Sequence, residues 1–473
     1  MKINVRLARY WLWPFLLLML AACNRAPAAT PTRPPATLAP AGTPLAGLMP
    51  EGEDEPAQTP AGPPASPISG AGAVAFGYTY QQPDGNRLVA GRGTMPEAGA
   101  VDIDLTGAPA WIAGVAEESG SLWAVVLVDG RTQAFRVIGQ VVEPVPVTPA
   151  SLTATDLGVQ PPLLRLEAGV PELVTVAGQA SPLTHAVVLS DMDMVAYLTP
   201  GGELVLDDGD GLPVVLNTAA LPDARLLDDG QGRLLFLSQP TDRYAHGVLG
   251  DGLEAGGVTI VESRPAPQTR TVLTVPDAQV IEGIMPLWAD LTGDGRREII
   301  VTQSSRAEGA QLHVYDEEGE LVAQGPPIGL GSRWRHQLAV GPFGPQGGLE
   351  LVDVLTPHLG GVVEFFRLEG EALVEVAAVP GFTSHLIGTR NLDMTVAGDF
   401  NGDGRPELVL PTQTRDALGG IQRTADGAFV AWQVPVDGLA ITNLAAVHLA
   451  DGGVALAVGR EDGVLRLWLP QAD

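Results

Sequence analysis

WADLTGDGRREIIVT (Trp288 to Thr302) and VAGDFNGDGRPELVLPT (Val396 to Thr412) share one pattern: an apolar run, a nine-residue turn with an oxygen ligand at every second position, and a second apolar run. In the first turn the ligand positions are Asp290, Thr292, Asp294, the backbone carbonyl of Arg296, and Glu298. In the second they are Asp399, Asn401, Asp403, the carbonyl of Arg405, and Glu407. Hard oxygens at alternate positions, with Gly295 or Gly404 where the chain turns sharply, suit a calcium ion, which gathers six or seven ligands at about 2.4 Å. The turn lacks the twelfth-position Glu of a helix-loop-helix site. The apolar residues that follow, Ile299 to Thr302 and Leu408 to Leu410, read as a strand leaving the loop.

The pattern D-x-x-G-D-G-R-x-E followed by aliphatic residues resembles the FG-GAP or VCBS-type repeat of the integrin alpha-subunit propeller and of many bacterial surface proteins. The resemblance implies a β-propeller in which each repeat is a blade, the loop joins the blade's first and second strands, and the bound Ca2+ is structural. Weaker copies occur at Leu164 to Val174, Leu227 to Leu237 and Pro342 to Val352, and looser ones at Gly120 to Val126 and Gly452 to Val458. Marks for the second strand then fall at Trp123, Glu172, Leu235, Glu298, Glu350, Glu407 and Ala455, roughly 50 to 60 residues apart, which is the span of one four-stranded blade. From about Ala73 onward short apolar runs alternate with Gly, Asp and Pro turns, and no stretch keeps a helical period. The expectation is an all-β chain: one seven-bladed β-propeller of four-stranded antiparallel blades over residues 70–473. The last copy contains three strands, so an early strand, Ala73 to Tyr80 or Val101 to Leu105, is expected to supply its missing outer strand and remove an open edge.

Ahead of the repeats lie two segments of different character. Residues 1–22 read as a signal peptide: Lys2, Arg6 and Arg9 precede an apolar core, Trp11 to Leu20, too short to span a bilayer as a mature helix. Leu20-Ala21-Ala22-Cys23 resembles a bacterial lipobox, which implies lipidation of Cys23 and an exported protein anchored to the extracytoplasmic side of the cell envelope. An ordinary secretory signal with an incidental cysteine is the alternative. Cys23 is the only cysteine, so no disulfide forms within the chain. Residues 23–69, rich in Pro, Ala and Thr and carrying Glu51, Glu53, Asp54 and Glu55, read as a disordered linker that lacks the apolar residues to form a core.

With 27 Lys and Arg against 55 Asp and Glu, the formal net charge is −28. That charge repels phosphate, no basic stripe with interleaved aromatics is present, and nucleic acid is not expected as a partner. No nucleophile elbow, phosphate-binding loop, zinc-protease helix or Cys-x-x-Cys pair occurs. Blade topology puts both calcium loops on one face and collects His185, His246, Arg306, His358, Arg415, Arg333, Trp334, Arg335, His336, His385, Arg390 and Asn391 on the other. Trp334, Arg335, His336, His358, His385 and Arg390 are the candidate ligand-binding residues there, as a cationic mouth over the central channel. The same residue types also serve as clamps on neighbouring carbonyls. The reading is a monomeric, non-enzymatic recognition or scaffolding module with an extracellular protein or polysaccharide ligand. A polysaccharide lyase or hydrolase using that His/Arg face is the alternative.

Overall fold

The structure, a computed structural model, describes residues 74–80, 84–150, 161–176, 180–189, 194–244, 246–247, 249–250, 252–331 and 333–471. Cys23 and the signal and linker segments lie outside the described residues. Among the described residues every named element is a strand.

Three strands lead: β1 (Val74–Gly77), β2 (Leu88–Arg92) and β3 (Gly99–Asp104). An antiparallel unit follows, made of β4 (Pro109–Glu117), β5 (Gly120–Leu127), β6 (Thr132–Ile138) and β7 (Val141–Val145). Next come β8 (Leu164–Glu167) and β9 (Val170–Leu173), which add to β1 as a three-stranded sheet. The following unit is β10 (Val187–Leu189), β11 (Met194–Leu198), β12 (Glu203–Asp207) and β13 (Val214–Asn217). After it stand β14 (Leu227–Asp228), β15 (Arg233–Thr241), β16 (Glu254–Glu262) and β17 (Gln268–Thr274). The first calcium-type turn separates the first two strands of β18 (Gln279–Ala289), β19 (Glu298–Ser305), β20 (Gly309–Tyr315) and β21 (Leu321–Gln324). A further unit is β22 (Arg335–Gly341), β23 (Glu350–Leu355), β24 (Val362–Glu369) and β25 (Ala372–Pro380). These last three units touch edge to edge through single residue pairs, Ala255 with Ile281 and Gln324 with Ala372. The second calcium-type turn joins the first two strands of β26 (Val396–Asp399), β27 (Glu407–Pro411), β28 (Ala417–Thr424) and β29 (Gly427–Pro435). The chain ends with β30 (Ala440–His448), β31 (Val454–Arg460) and β32 (Val464–Leu469).

β3 pairs antiparallel with β32 from Gly99–Leu469 to Asp104–Val464, so an N-terminal strand does complete the last unit. Apolar faces stack from one unit to the next: Ile112, Trp123 and Val125 pack with Ala445, Ala457 and Leu467, joining the last unit to the first complete one. Repeated antiparallel sheets stacked face to face and closed by a strand from the other end of the chain make this an all-β propeller. Six of the seven marks lie on the second strand of a four-stranded unit. The seventh, Glu172, lies on β9 of the three-stranded sheet, and the unit β10–β13 carries none.

The axis is filled by the chain itself. Tyr80 Oη donates to Leu226 O (3.1 Å), Trp288 N donates to Asp84 O (3.2 Å), and Val340 N donates to Asn86 Oδ1 (2.6 Å). Arg87 donates to Leu338 O (2.9 Å) and Leu392 O (2.8 Å), and β2 then runs parallel to β26. Asn443 Nδ2 donates to Thr79 O (3.3 Å). One short segment therefore touches the first strand, or the residues leading into it, of five different units. The centre of the ring is where those strands converge. At its core Asp393 faces Arg225 at 2.7 Å and Arg87 at 3.6 Å, all three buried. Where the sequence suggests a mouth over the central channel, Tyr78 to Tyr80 and Asp84 to Arg92 stand in that space.

Candidate functional site

Both calcium-type turns have the same internal wiring, set by short side chains and glycines at fixed spacing. In the first, Gly295 N donates to Asp290 Oδ2 (2.9 Å), Leu291 N to Glu298 Oε2 (2.7 Å) and Arg296 N to Asp294 Oδ1 (2.8 Å). In the second, Gly404 N donates to Asp399 Oδ2 (3.0 Å), Phe400 N to Glu407 Oε2 (2.8 Å) and Arg405 N to Asp403 Oδ1 (2.9 Å). Gly295 and Gly404 both have φ near +86°, a conformation in which a side chain is strained. Thr292 Oγ1 donates to Glu298 Oε1 (3.1 Å), and Asn401 Oδ1 accepts from Asp403 N (2.8 Å).

In the first loop, ligand oxygens of Asp290, Asp294 and Glu298 lie within 4.8 Å of one another. Burial is the main cause that raises the Glu298 carboxyl, and Asp290 adds to it. In the second loop burial, with the charges of Asp399 and Asp403, pushes Glu407 up to about 8. Asp399 Oδ1 is buried without a hydrogen-bond partner. Gln422 Nε2 reaches both Asp403 Oδ2 (2.9 Å) and Glu407 Oε1 (3.3 Å), spreading that trio around an amide. Converging carboxylates around a raised glutamate in each loop, with an orphaned buried oxygen in the second, fit a divalent cation as the neutralising group. The axial segment braces both loops: Arg297 Nη1 donates to Asp84 Oδ2 (2.8 Å), and Arg92 to Gly402 O (2.5 Å).

The second candidate cluster is aromatic and mostly buried. Trp334 stacks on His336 at 4.9 Å and meets His385 edge-on at 5.4 Å. His385 Nε2 lies 2.7 Å from Thr389 O, which only accepts, so this nitrogen carries the proton. Its Nδ1 then accepts from His358 Nε2 at 2.6 Å, while His336 Nδ1 pairs with Ser384 Oγ at 2.9 Å. Burial pushes His385 down to about 4 and His336 well below the usual histidine range, and lowers His358 as well.

The two arginines of this set are held by carboxylates. Arg335 donates to Asp353 Oδ2 (2.9 Å) and Glu364 Oε2 (2.5 Å), and burial raises both carboxyls. Arg390 Nε donates to Asp223 Oδ2 (2.8 Å). Others of the expected face behave as clamps: Arg415 donates to Ala440 O (2.9 Å), His246 pairs with Glu282 (2.5 Å), and His185 stacks on Tyr80 at 5.0 Å. The structure thus gathers Trp334, His336, His358 and His385, and ties Arg335 and Arg390 into ion pairs. The residues that sequence reasoning did not reach are Asp84, Arg87, Arg225, Asp393 and Gln422, none of which sits in a motif.

No family model matches the chain, and no curated protein matches its sequence. Solved structures do match in fold. A europium-containing methanol dehydrogenase superposes with a TM-score of 0.51 at 10% identity, over 80% of this chain and 88% of that one. BamB from Moraxella catarrhalis aligns at 13% identity with a TM-score of 0.37, over 80% of this chain and 99% of that one. The β-propeller domain of Myceliophteria thermophila Cps50 (Swd1) aligns at 11% identity with a TM-score of 0.39, over 77% and 97%. At 10% identity the likeness to the methanol dehydrogenase is one of fold alone.

Proposed function

We propose that this chain is a cell-surface lipoprotein whose FG-GAP/VCBS-like, calcium-binding β-propeller acts as an extracellular recognition or scaffolding module. The observation that carries the reading is the filled axis: Tyr78 to Tyr80 and Asp84 to Arg92 occupy the place where a propeller would otherwise present an open channel, which leaves outer surfaces and loops for partners. Calcium would be held by Asp290, Thr292, Asp294, the Arg296 carbonyl and Glu298, and by Asp399, Asn401, Asp403, the Arg405 carbonyl and Glu407. Bound there, it neutralises the crowded carboxylates and stiffens two loops that touch the axial segment. Cys23 would anchor the protein by its lipid, with residues 23–69 as tether.

The alternative class, a polysaccharide lyase or hydrolase, needs an accessible base beside a cation that neutralises a carboxylate. Burial of His336 and His385 and the ion pairs of Arg335 and Arg390 weigh against it. The test is incubation of the purified chain with a panel of anionic polysaccharides, followed for new reducing ends and unsaturated products. Neither is expected to accumulate. Steady product formation that His385→Asn abolishes would overturn the recognition reading.

A further inference from the structure

Among the described residues, apolar clusters seal the junctions between successive units at every point but one. Leu164, Leu166 and Leu173 of the three-stranded sheet pack with Trp111, Leu122 and Val126 of the unit before it. Leu204 and Leu206 of β12 pack with Leu234 and Phe236 of the unit after it. Between the three-stranded sheet and β10–β13, no apolar cluster among the described residues includes β1, β8 or β9 together with β10–β13. A cleft of about 650 Å³ lies there instead.

Strand register explains its walls. On one side Phe76 pairs with Arg165 and Arg165 with Glu172, a row across β1, β8 and β9. On the other Val188 pairs with Val195 and Val195 with Asp207, a row across β10, β11 and β12. All six line the cleft. Each row runs from an apolar side chain on its first strand to a carboxylate on its third. Arg165 is the one cation in the lining, and it is already shared between Glu167 (2.7 Å) and Glu172 (3.3 Å). Asp207 and Asp208 stand across from them and form no ion pair among the described residues.

We propose that this unsealed junction is a binding cleft for an extended peptide segment carrying an apolar side chain next to Lys or Arg. The inference deepens the recognition reading and rests on it. The apolar side chain would enter between Phe76, Val188 and Val195, and the cation would meet Glu172, Asp207 and Asp208 at the rim. A peptide suits the place because Thr175 and Val176 run along the cleft outside any strand among the described residues, with backbone amides and carbonyls that an extended segment can meet. The chain's own lead-in, with Glu51, Glu53, Asp54 and Glu55, has the wrong sign to occupy an acidic rim.

The test uses the full mature chain and two fluorescent octapeptides, one alternating Lys with Val and one alternating Glu with Val, measured by anisotropy at physiological salt. A protein of formal charge −28 attracts any polycation loosely, so the deciding variant is Val195→Trp, which fills the cleft and changes no charge. The Lys-Val peptide is expected to bind saturably and the Glu-Val peptide not at all. Val195→Trp and, separately, Asp207→Asn with Asp208→Asn should each weaken binding about tenfold or more. The exposed Asp208→Asn change alone, expected to leave folding intact, gives a smaller loss in the same direction. Lys-Val binding that ignores all of these variants would overturn the cleft while leaving recognition elsewhere on the propeller. Equal binding of both peptides, or binding of neither, would overturn the cleft alone, since the polysaccharide assay judges the recognition reading separately.

Discussion

Arg87→Met tests the filled axis. Arg87 is fully buried, and its guanidinium donates to two backbone carbonyls, Leu338 O at 2.9 Å and Leu392 O at 2.8 Å. Methionine keeps most of the stem and loses both charge-assisted bonds, each about 1.5–3 kcal/mol. Part of that loss is offset, because burial first and then the Arg225 charge already push the Arg87 guanidinium down to about 10. Arg225 also keeps its own 2.7 Å pairing with Asp393. A net cost of about 3 kcal/mol follows. With an unfolding entropy of about 2.1 cal/mol/K per residue over roughly 400 residues, that corresponds to a fall in Tm of about 4 °C. Asp393→Asn is worse, since it leaves two buried guanidiniums facing no carboxylate, and about 5 kcal/mol is expected. Scanning calorimetry gives the ranking, and limited proteolysis reports whether the Tyr78 to Arg92 segment loosens. A Tm for Arg87→Met within a degree of the parent, or a milder effect for Asp393→Asn than for Arg87→Met, would refute the argument that this cluster staples the ring.

Asp399→Asn should change sign with calcium. In chelator it keeps an acceptor for Gly404 N and removes a charge that crowds Glu407, so stability holds or rises slightly. In calcium at about a hundredfold excess over Kd it loses about 2.7 kcal/mol of ligand stabilisation, and equal effects in both melts would exclude a metal role for this carboxylate. Acid should weaken the fold through the buried histidines. His385, lowered to about 4 in the folded chain, contributes stability that is present above its ordinary value of 6.5 and is lost as pH falls toward 4. Between pH 7 and pH 5 the loss from this group is about 2 kcal/mol, and denaturant melts of His385→Asn should show a flatter profile. Cys23→Ser is expected to move the protein from the membrane fraction to the soluble fraction on cell fractionation; retention in the membrane would place the anchor elsewhere.

Parts of this architecture were legible because they depend on local spacing. A ligand at every second position with Gly295 or Gly404 in the turn dictates a loop between two strands, and β18–β19 and β26–β27 flank those loops as expected. Strand counting identified the need for an outer strand beside β32. The unit β10–β13 carries no mark in the sequence, because stretches such as Asp207 to Gly211 are Asp and Gly clusters without the Gly-x-x-Glu register. Arg87 could not be read at all: its partners Leu338 and Leu392 lie 251 and 305 residues away, and nothing local distinguishes it from a solvated loop arginine. The histidines were grouped from topology, but whether they are exposed cations or buried neutral rings depends on packing. The contacts that settle it, His358 with His385 and His336 with Ser384, join residues 27 and 48 positions apart.

Calcium titration of the tether-free domain, residues 70–473, by isothermal calorimetry with a parallel thermal melt is the measurement that bears most directly on a calcium-organised propeller. Two binding events are expected, one lost in Asp294→Ala and the other in Asp399→Asn, with a calcium-dependent rise in Tm of a few degrees per site. Absence of binding heat at millimolar calcium, with melts that superimpose in calcium and in chelator, would contradict the account.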